Sequence, residues 1–279
     1  MKAEDVMSSP VRVVAPEDTV AYARNQMIKH KISRVLVMEG DRLAGIITKK
    51  DLAYRLRNTD PVWRRRPIDR IPVSLLMTPA PIVVDPETSI RDLAALMLDR
   101  MISGIPVVNS DEVIGIVTKS DILRSASVQK LDVPVTALME EAITVSRYHS
   151  LDHVVDLFSE SGGKLIVVNN DGTLAGIITE TNLAFYEYAN EAGEIPEKDI
   201  KMLRKETSGG RKSFRYILEV SAVAEDVMTH PVVTTGPETT AAAAVKMMID
   251  HHINSMVIAR GSEILGIVKR DNILQEVAK

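Results

Sequence analysis

This chain repeats one pattern four times, and a repeated chain folds as copies of one small unit rather than as a single unbroken core. Ala-Glu-Asp-Val-Met occupies residues 3–7 and again 224–228. Related openings stand at Leu76-Met77-Thr78-Pro79 and Leu138-Met139, and a glycine heading an apolar run follows each opening, at Gly45, Gly115, Gly176 and Gly266. The methionine-to-glycine intervals are 38 (7 to 45), 38 (77 to 115), 37 (139 to 176) and 38 (228 to 266), whereas successive glycines lie 70, 61 and 90 residues apart. Length is held inside a unit and varies between units, as it does when insertions are confined to connections. The units are read as 1–57, 72–128, 134–190 and 223–279, with a charged linker over 191–222.

The second unit is the easiest to read. Residues 81–84 form a short apolar strand, and Ile90, Leu93, Ala94, Met97 and Met101 recur at helical spacing from Ser89 onward. The β-branched runs 104–109 and 113–118 flank a polar Asn109-Ser110-Asp111-Glu112 turn, which predicts a hairpin, and a second helix is predicted over 120–126. The other units place hairpin turns at Glu39-Gly40-Asp41, Asn170-Asp171-Gly172 and Arg260-Gly261-Ser262. The unit is therefore β-α-β-β-α, an α/β (α+β) arrangement. So small a unit buries too little apolar surface to stand alone, so neighbouring units must pair faces. Met27, Met97, Met101, Met247 and Met248 are expected in helix cores, where a flexible thioether packs well.

Two connections depart from the pattern. Residues 55–70 hold six arginines, at 55, 57, 64, 65, 66 and 70, around the lone Trp63. Residues 187–215 are mixed in charge, and Ile200, Leu203 and Arg204 predict an extra helix there, followed by a Ser-Gly-Gly turn.

Composition narrows the function. Among 279 residues there is no cysteine, which excludes disulfides, thiolate metal sites and a cysteine nucleophile, and suits a reducing, cytoplasmic setting. No apolar run reaches the roughly 18 residues of a membrane span, and the N-terminus is too polar for a secretion signal. A net charge of −4 disfavours bulk nucleic-acid binding, although Arg64-Arg65-Arg66 with Trp63 leaves a local nucleic-acid contact open beside an ordinary solvated loop. His149 and His153, and the adjacent His251-His252, are read as solvated or capping histidines, so no metal is expected. Neither a nucleophile elbow, a P-loop nor a zinc-protease motif occurs, and the chain is read as no enzyme, with no catalytic residue or cofactor.

The openings of the type Met77-Thr78, the Ile-Ser-Gly-Ile-Pro-Val-Val segment at 102–108 and the Gly-Ile-Val-Thr-Lys-Ser-Asp segment at 115–121 together resemble the cystathionine β-synthase (CBS) domain, in four copies covering nearly the whole chain. The resemblance implies tandem pairs, repeat 1 with 2 and repeat 3 with 4. Each pair is implied to have clefts for AMP, ADP, ATP or S-adenosylmethionine. Four copies are similar in architecture to the gamma subunit of AMP-activated protein kinase and to stand-alone archaeal CBS proteins, in which two pairs form a disc with phosphates directed inward. The function implied is regulatory: a nucleotide sensor acting through an unidentified protein effector, with a homodimer expected. An interaction scaffold with empty clefts is the competing reading.

The resemblance also assigns residues. Thr48, Thr118 and Thr179, ending a strand where a helix begins, would face phosphate together with Arg34, Lys164 and Lys269, because a helix start offers unpaired N–H groups and partial positive charge. Asp51, Asp121, Asn182 and Asn272, three residues further on, would take the ribose diol. The adenine pocket would be Val11, Ile32, Ser33, Pro81, Ile102, Ser103, Val232, Ile253 and Asn254. A plainer reading stands beside this one: Thr-x-x-Asp at a helix start is close to a capping box, and the pocket residues are also ordinary core types. Because a neutral amide binds a diol more weakly than a carboxylate, the clefts using Asp51 and Asp121 are expected to bind more tightly than those using Asn182 and Asn272.

Overall fold

The structure, a computed structural model, describes residues 1–54, 68–125, 128, 131–185, 200–205, 212–217 and 222–279. Arg55, Arg57, Trp63 and Arg64-Arg65-Arg66 lie outside the described residues, as does most of 187–211; Arg70 is described and exposed.

Four ten-residue helices show how local sequence sets local structure: α2 (Val20–Lys29), α4 (Ile90–Asp99), α6 (Leu151–Glu160) and α9 (Ala241–Asp250). Each starts on a hydroxyl residue, Thr19, Ser89, Ser150 or Thr240, whose oxygen accepts a bond from the backbone N–H three residues on. In α4, Ile90, Leu93, Ala94 and Met97 form the buried stripe. Met101 does not join it. The helix stops at Asp99, Met101 turns to φ 50°, and its side chain is 83% exposed. Lys31 and His252 take the same left-handed step after their helices, so His251 caps α9 and His252 lies beyond it rather than both lying on the helix. Met27, Met97 and Met248 are buried as expected, and Met247 packs half-buried against the core.

After each of these helices comes a hairpin: β2 (Arg34–Glu39) with β3 (Arg42–Thr48), β5 (Gly104–Asn109) with β6 (Glu112–Thr118), β8 (Lys164–Val168) with β9 (Leu174–Thr179), and β13 (Ser255–Arg260) with β14 (Glu263–Lys269). Short strands β1 (Val13–Val14), β7 (Thr144–Ser146) and β12 (Thr234–Thr235) add in parallel to β2, β8 and β13. In repeat 2 the expected strand at 81–84 reduces to one parallel bridge, Val84 to Val107. Gly40, Gly172 and Gly261 take the positive φ that their turns need, while repeat 2 places Ser110 and Asp111 there. The second helices follow at once: α3 (Lys49–Tyr54), α5 (Lys119–Leu123), α7 (Glu180–Phe185) and α10 (Arg270–Ala278).

The repeat in sequence is offset from the unit in space. Each opening is donated to the paired repeat. Ser8 bridges Ile116, Glu140 bridges Ile267 and Thr229 bridges Ile177, while β4 (Thr78–Pro79) joins β3. Met7 therefore lies over Gly115 and Met77 over Gly45, not over the glycine of its own repeat; likewise Met228 meets Gly176 and Met139 meets Gly266. A β-carbon on Gly45 would lie 2.6 Å from the Met77 Sδ, which gives the recurrent glycine its steric reason. The same exchange puts Ala3 in the core of repeat 2, Val73 in that of repeat 1, Val135 in that of repeat 4, and Ala224 and Val227 in that of repeat 3.

The two pairs then join through second helices. α3 packs on α7, and α10 packs on α4 and α5. One core runs from Leu52 of repeat 1 to Leu183 of repeat 3, and Leu274 of repeat 4 enters the core of repeat 2.

The helix expected around residue 200 is instead a two-stranded hairpin, β10 (Ile200–Lys205) with β11 (Lys212–Ile217). Ile200 and Leu203, two apolar positions at helical spacing, are too few to outweigh a partner strand carrying Phe214, Tyr216 and Ile217. Among the described residues no helix is long and apolar enough to cross a membrane.

Candidate functional site

Each second helix begins where its strand ends, and the capping reading is what the side chains show first. Asp51 Oδ2 accepts bonds from the Thr48 N–H and hydroxyl, both at 2.7 Å. Asp121 Oδ2 does the same with Thr118 at 2.8 and 2.6 Å, and Asn182 Oδ1 with Thr179 at 2.9 and 2.7 Å. Asn272 Oδ1 caps the Lys269 N–H at 2.7 Å. Capping consumes only one oxygen. Among the described residues Asp51 Oδ1 accepts no bond, and Asp121 Oδ1 meets only Arg124 at 3.3 Å. Burial pushes the Asp51 carboxyl above its ordinary range, against the lowering effect of the Thr48 bonds.

The residues assigned to adenine are all half-buried or exposed, not core. Val11, Ile32, Pro81, Ile102, Val232, Ile253 and Asn254 are half-buried, and Ser33 and Ser103 are exposed. Ile32, Ile102, Val232 and Ile253 edge four different core clusters. The carbonyls of Ser33, Ser103 and Asn254 accept bonds from the first N–H of the second helix, at Lys49, Lys119 and Arg270. These bonds tie the turn into the second strand to the helix start. Ser103 has a further role, because its hydroxyl takes a bond from Arg34 Nη2 at 2.8 Å.

Arg34 is the pivotal cation of repeats 1 and 2. It reaches from the start of β2 across Gly104, where a β-carbon would lie 2.8 Å from its Cδ. Among the described residues it has no carboxylate partner, and burial pushes its guanidinium down to about 10 despite the charge of Asp121 nearby. It stays charged at neutral pH.

Lys164 and Lys269 differ. Lys164 is buried with its ammonium 3.0 Å from Glu180 Oε2 and 2.9 Å from the Gly163 carbonyl, and burial lowers its pKa while Glu180 opposes the shift. Lys269 donates to the Ser161 carbonyl at 2.9 Å and pairs with Glu140. Both are engaged by their own chain.

Arg270 escaped the sequence reading. Its guanidinium binds Ser120 Oγ at 2.5 Å and the Ile253 carbonyl at 2.8 Å, and burial, with Arg124 nearby, pushes it down to about 10. It sits close enough to Arg34 to lower that guanidinium, so repeat 4 contributes a cation to the junction beside repeats 1 and 2. Lys119 reaches the other way, to Asp271 at 2.7 Å. Comparing the first residue of each second helix, Lys49, Lys119, Glu180 and Arg270, would have flagged this charged ring. His149 and His153 meet edge to face at 4.6 Å between centroids, both exposed, and among the described residues no cluster of three or more metal-ligating side chains occurs.

Four repeats exchanging their openings in pairs, with polar helix starts converging between them, define a tandem regulatory module. The sequence profile of the CBS domain matches residues 3–58, 65–127, 135–188 and 223–279, and the chain belongs to the CBS domain family. Its fold is similar to that of protein MJ1225 from Methanocaldococcus jannaschii, described as a candidate archaeal homolog of g-AMPK, with a TM-score of 0.81 at 18% identity over 99% of both chains. It is also similar to an uncharacterized conserved protein from Pyrococcus horikoshii, with a TM-score of 0.62 at 18% identity over 99% of this chain and 100% of that one. In sequence it is 25% identical to the uncharacterized protein MJ1404 of Methanocaldococcus jannaschii over 99% of this chain, and it spans 61% of that relative's length.

Proposed function

We propose that the junction of repeats 1 and 2 binds an adenine nucleotide without transforming it, and that occupancy biases the relative orientation of the repeats. The observation that carries this reading is Arg34, a partly buried guanidinium without a carboxylate partner among the described residues, beside Asp121 and within the field of Arg270. A half-buried cation that Asp121 and Glu180 balance only from a distance is incompletely compensated, and a phosphate would supply the direct counter-ion. In this reading Asp51 and Asp121 offer their second oxygens to the ribose, the starts of α3 and α5 with Thr48 and Thr118 face phosphate, and Val11, Ile32, Pro81 and Ile102 cover the base. A ligand shifts orientation only by binding two arrangements unequally, so the sensing capacity lies in the difference between nucleotides. A protein effector would read that orientation, and a homodimer is the expected assembly.

Mass spectrometry of small molecules released from the purified chain, followed by calorimetry with AMP, ADP, ATP and S-adenosylmethionine, tests the reading. Nucleotide heat that grows with phosphate count and is lost in Arg34→Ala is the expected result. S-adenosylmethionine binding unaffected by Arg34→Ala would replace the nucleotide with a sulfonium ligand; no heat from any of them would leave a scaffold.

A further inference from the structure

Aligning the four repeats by their strands isolates two acids. The residue after the opening methionine is Ser8, Thr78 and Thr229 in repeats 1, 2 and 4, but Glu140 in repeat 3. The first residue of the second helix is Lys49, Lys119 and Arg270 in those repeats, but Glu180 in repeat 3. Both acids thus belong to one repeat, and both make direct ion pairs with cations of repeats 3 and 4, although the charge of Glu180 also reaches Arg34 and Lys49 of repeat 1. Glu180 holds Lys164, whose side chain is 6% exposed, and Glu140 holds Lys269.

Repeat 3 is also altered where the acid enters. Between helix cap and strand, residues 31–33, 101–103 and 252–254 of the other repeats shorten to Gly162-Gly163. Gly163 has φ 83°, and a β-carbon there would lie 2.5 Å from Glu180 Oε1. The carboxylate therefore fills the space that any side chain at residue 163 would need. The remaining polar groups are engaged as well. Asn182 Nδ2 donates to Thr229 Oγ1 at 2.9 Å, and Asn272 Nδ2 to Glu140 Oε2 at 3.3 Å. In repeats 1 and 2 the matching groups are Asp51, with one oxygen unbonded, and Arg34, held only by a hydroxyl.

We propose that Glu140 and Glu180 act as built-in anions that close the clefts of repeats 3 and 4 to phosphate-bearing ligands, confining nucleotide to repeats 1 and 2. This rests on the nucleotide reading of Arg34 and goes beyond it by naming the residues that decide which half responds. A phosphate approaching Lys164 or Lys269 meets a carboxylate already there, and like charges in a partly buried site exclude one another.

Calorimetry of the full chain with ATP at low salt is the test. Wild type is expected to saturate at no more than one nucleotide each for Asp51 and Asp121, and Asp51→Ala with Asp121→Ala to abolish binding. Adding Glu140→Thr and Glu180→Gln to that disabled chain is expected to create at least one ATP site, lost again in Lys269→Ala. Binding that survives Asp51→Ala with Asp121→Ala overturns the inference, as does a chain carrying the two glutamate replacements, folded by circular dichroism, that gains no site. Should the pair of replacements impair folding, Glu140→Gln alone carries the same test, because Glu140 is 41% exposed and the amide still bonds Asn272. A wild type that binds no ATP, beside a glutamate variant that does, would remove the nucleotide reading of repeats 1 and 2 and leave this one standing.

Discussion

Repeats 1 and 2 and repeats 3 and 4 share a backbone plan but balance charge in opposite ways. In the first pair Arg34 crosses between repeats and meets a hydroxyl, and Asp51 keeps an oxygen unbonded. In the second pair Lys269 crosses between repeats and meets Glu140, while Lys164 lies against Glu180. Duplication thus preserved packing and let the electrostatics diverge, because packing depends on the apolar stripe that all copies share whereas charge balance turns on a few polar positions at the strand and helix starts. In one half, among the described residues, Arg34 touches no carboxylate and feels Asp121 and Glu180 only at a distance. The other already holds its own anions.

The comparison can be broken at its ligand. Replacing both Asp51 and Asp121 with Ala is expected to remove detectable nucleotide binding, because each cleft loses a charge-assisted bond worth about 1.5–3 kcal/mol, or about 10- to 100-fold, together with its cap. Asn182→Ala is expected to leave affinity unchanged, and equal losses by calorimetry would erase the distinction between the pairs. Stability offers a second handle. Lys164→Met leaves Glu180 in a partly buried site without its cation and is expected to cost about 2 kcal/mol in urea unfolding, less than for a wholly enclosed pair because Glu180 reaches solvent.

The reciprocal change sharpens the contrast. Arg34→Met removes a half-buried charge that has no carboxylate partner among the described residues, so the unliganded chain is expected to gain up to about 1 kcal/mol while losing nucleotide affinity. A loss of stability equal to that of Lys164→Met would show that Arg34 is as well compensated as Lys164. The smallest effect concerns pH. Burial raises the Asp51 pKa in the folded state, so its ionised form opposes folding at neutral pH, and that penalty is relieved as pH falls through the raised value. Asp51→Asn keeps the cap, as Asn182 does naturally, and is expected to raise Tm at pH 7 by a margin that shrinks toward acid pH. A margin independent of pH would assign the effect to packing.

Much of the fold was legible because it is written at short range. The helix from Ser89, the turns at Gly40, Gly172 and Gly261 and the strand order within a repeat follow from capping, positive φ and apolar periodicity. Met101 misled because periodicity continues past a helix end that backbone geometry decides. Residue 200 misled because the strand that pairs with it starts twelve positions later. For the site, Thr48 with Asp51 and Thr118 with Asp121 were readable as caps, and the structure shows the cap and the unused oxygen coexisting in Asp51. Arg270 was readable as a charged helix start by comparing the repeats, but its place beside Arg34 of another repeat was not, since nothing near it in sequence reveals that approach.

The sequence by itself determined four copies of one unit, the elements within each, and which copies keep an acid at the helix start. Only the tertiary structure decided that every opening methionine rests on the glycine of its partner repeat and that Glu140 and Glu180 neutralise Lys269 and Lys164. The reason is range. Caps, turns and stripes are set by neighbours a few residues away, whereas steric fit and Coulomb energy depend on distance in space, which the chain specifies only once all four repeats have packed.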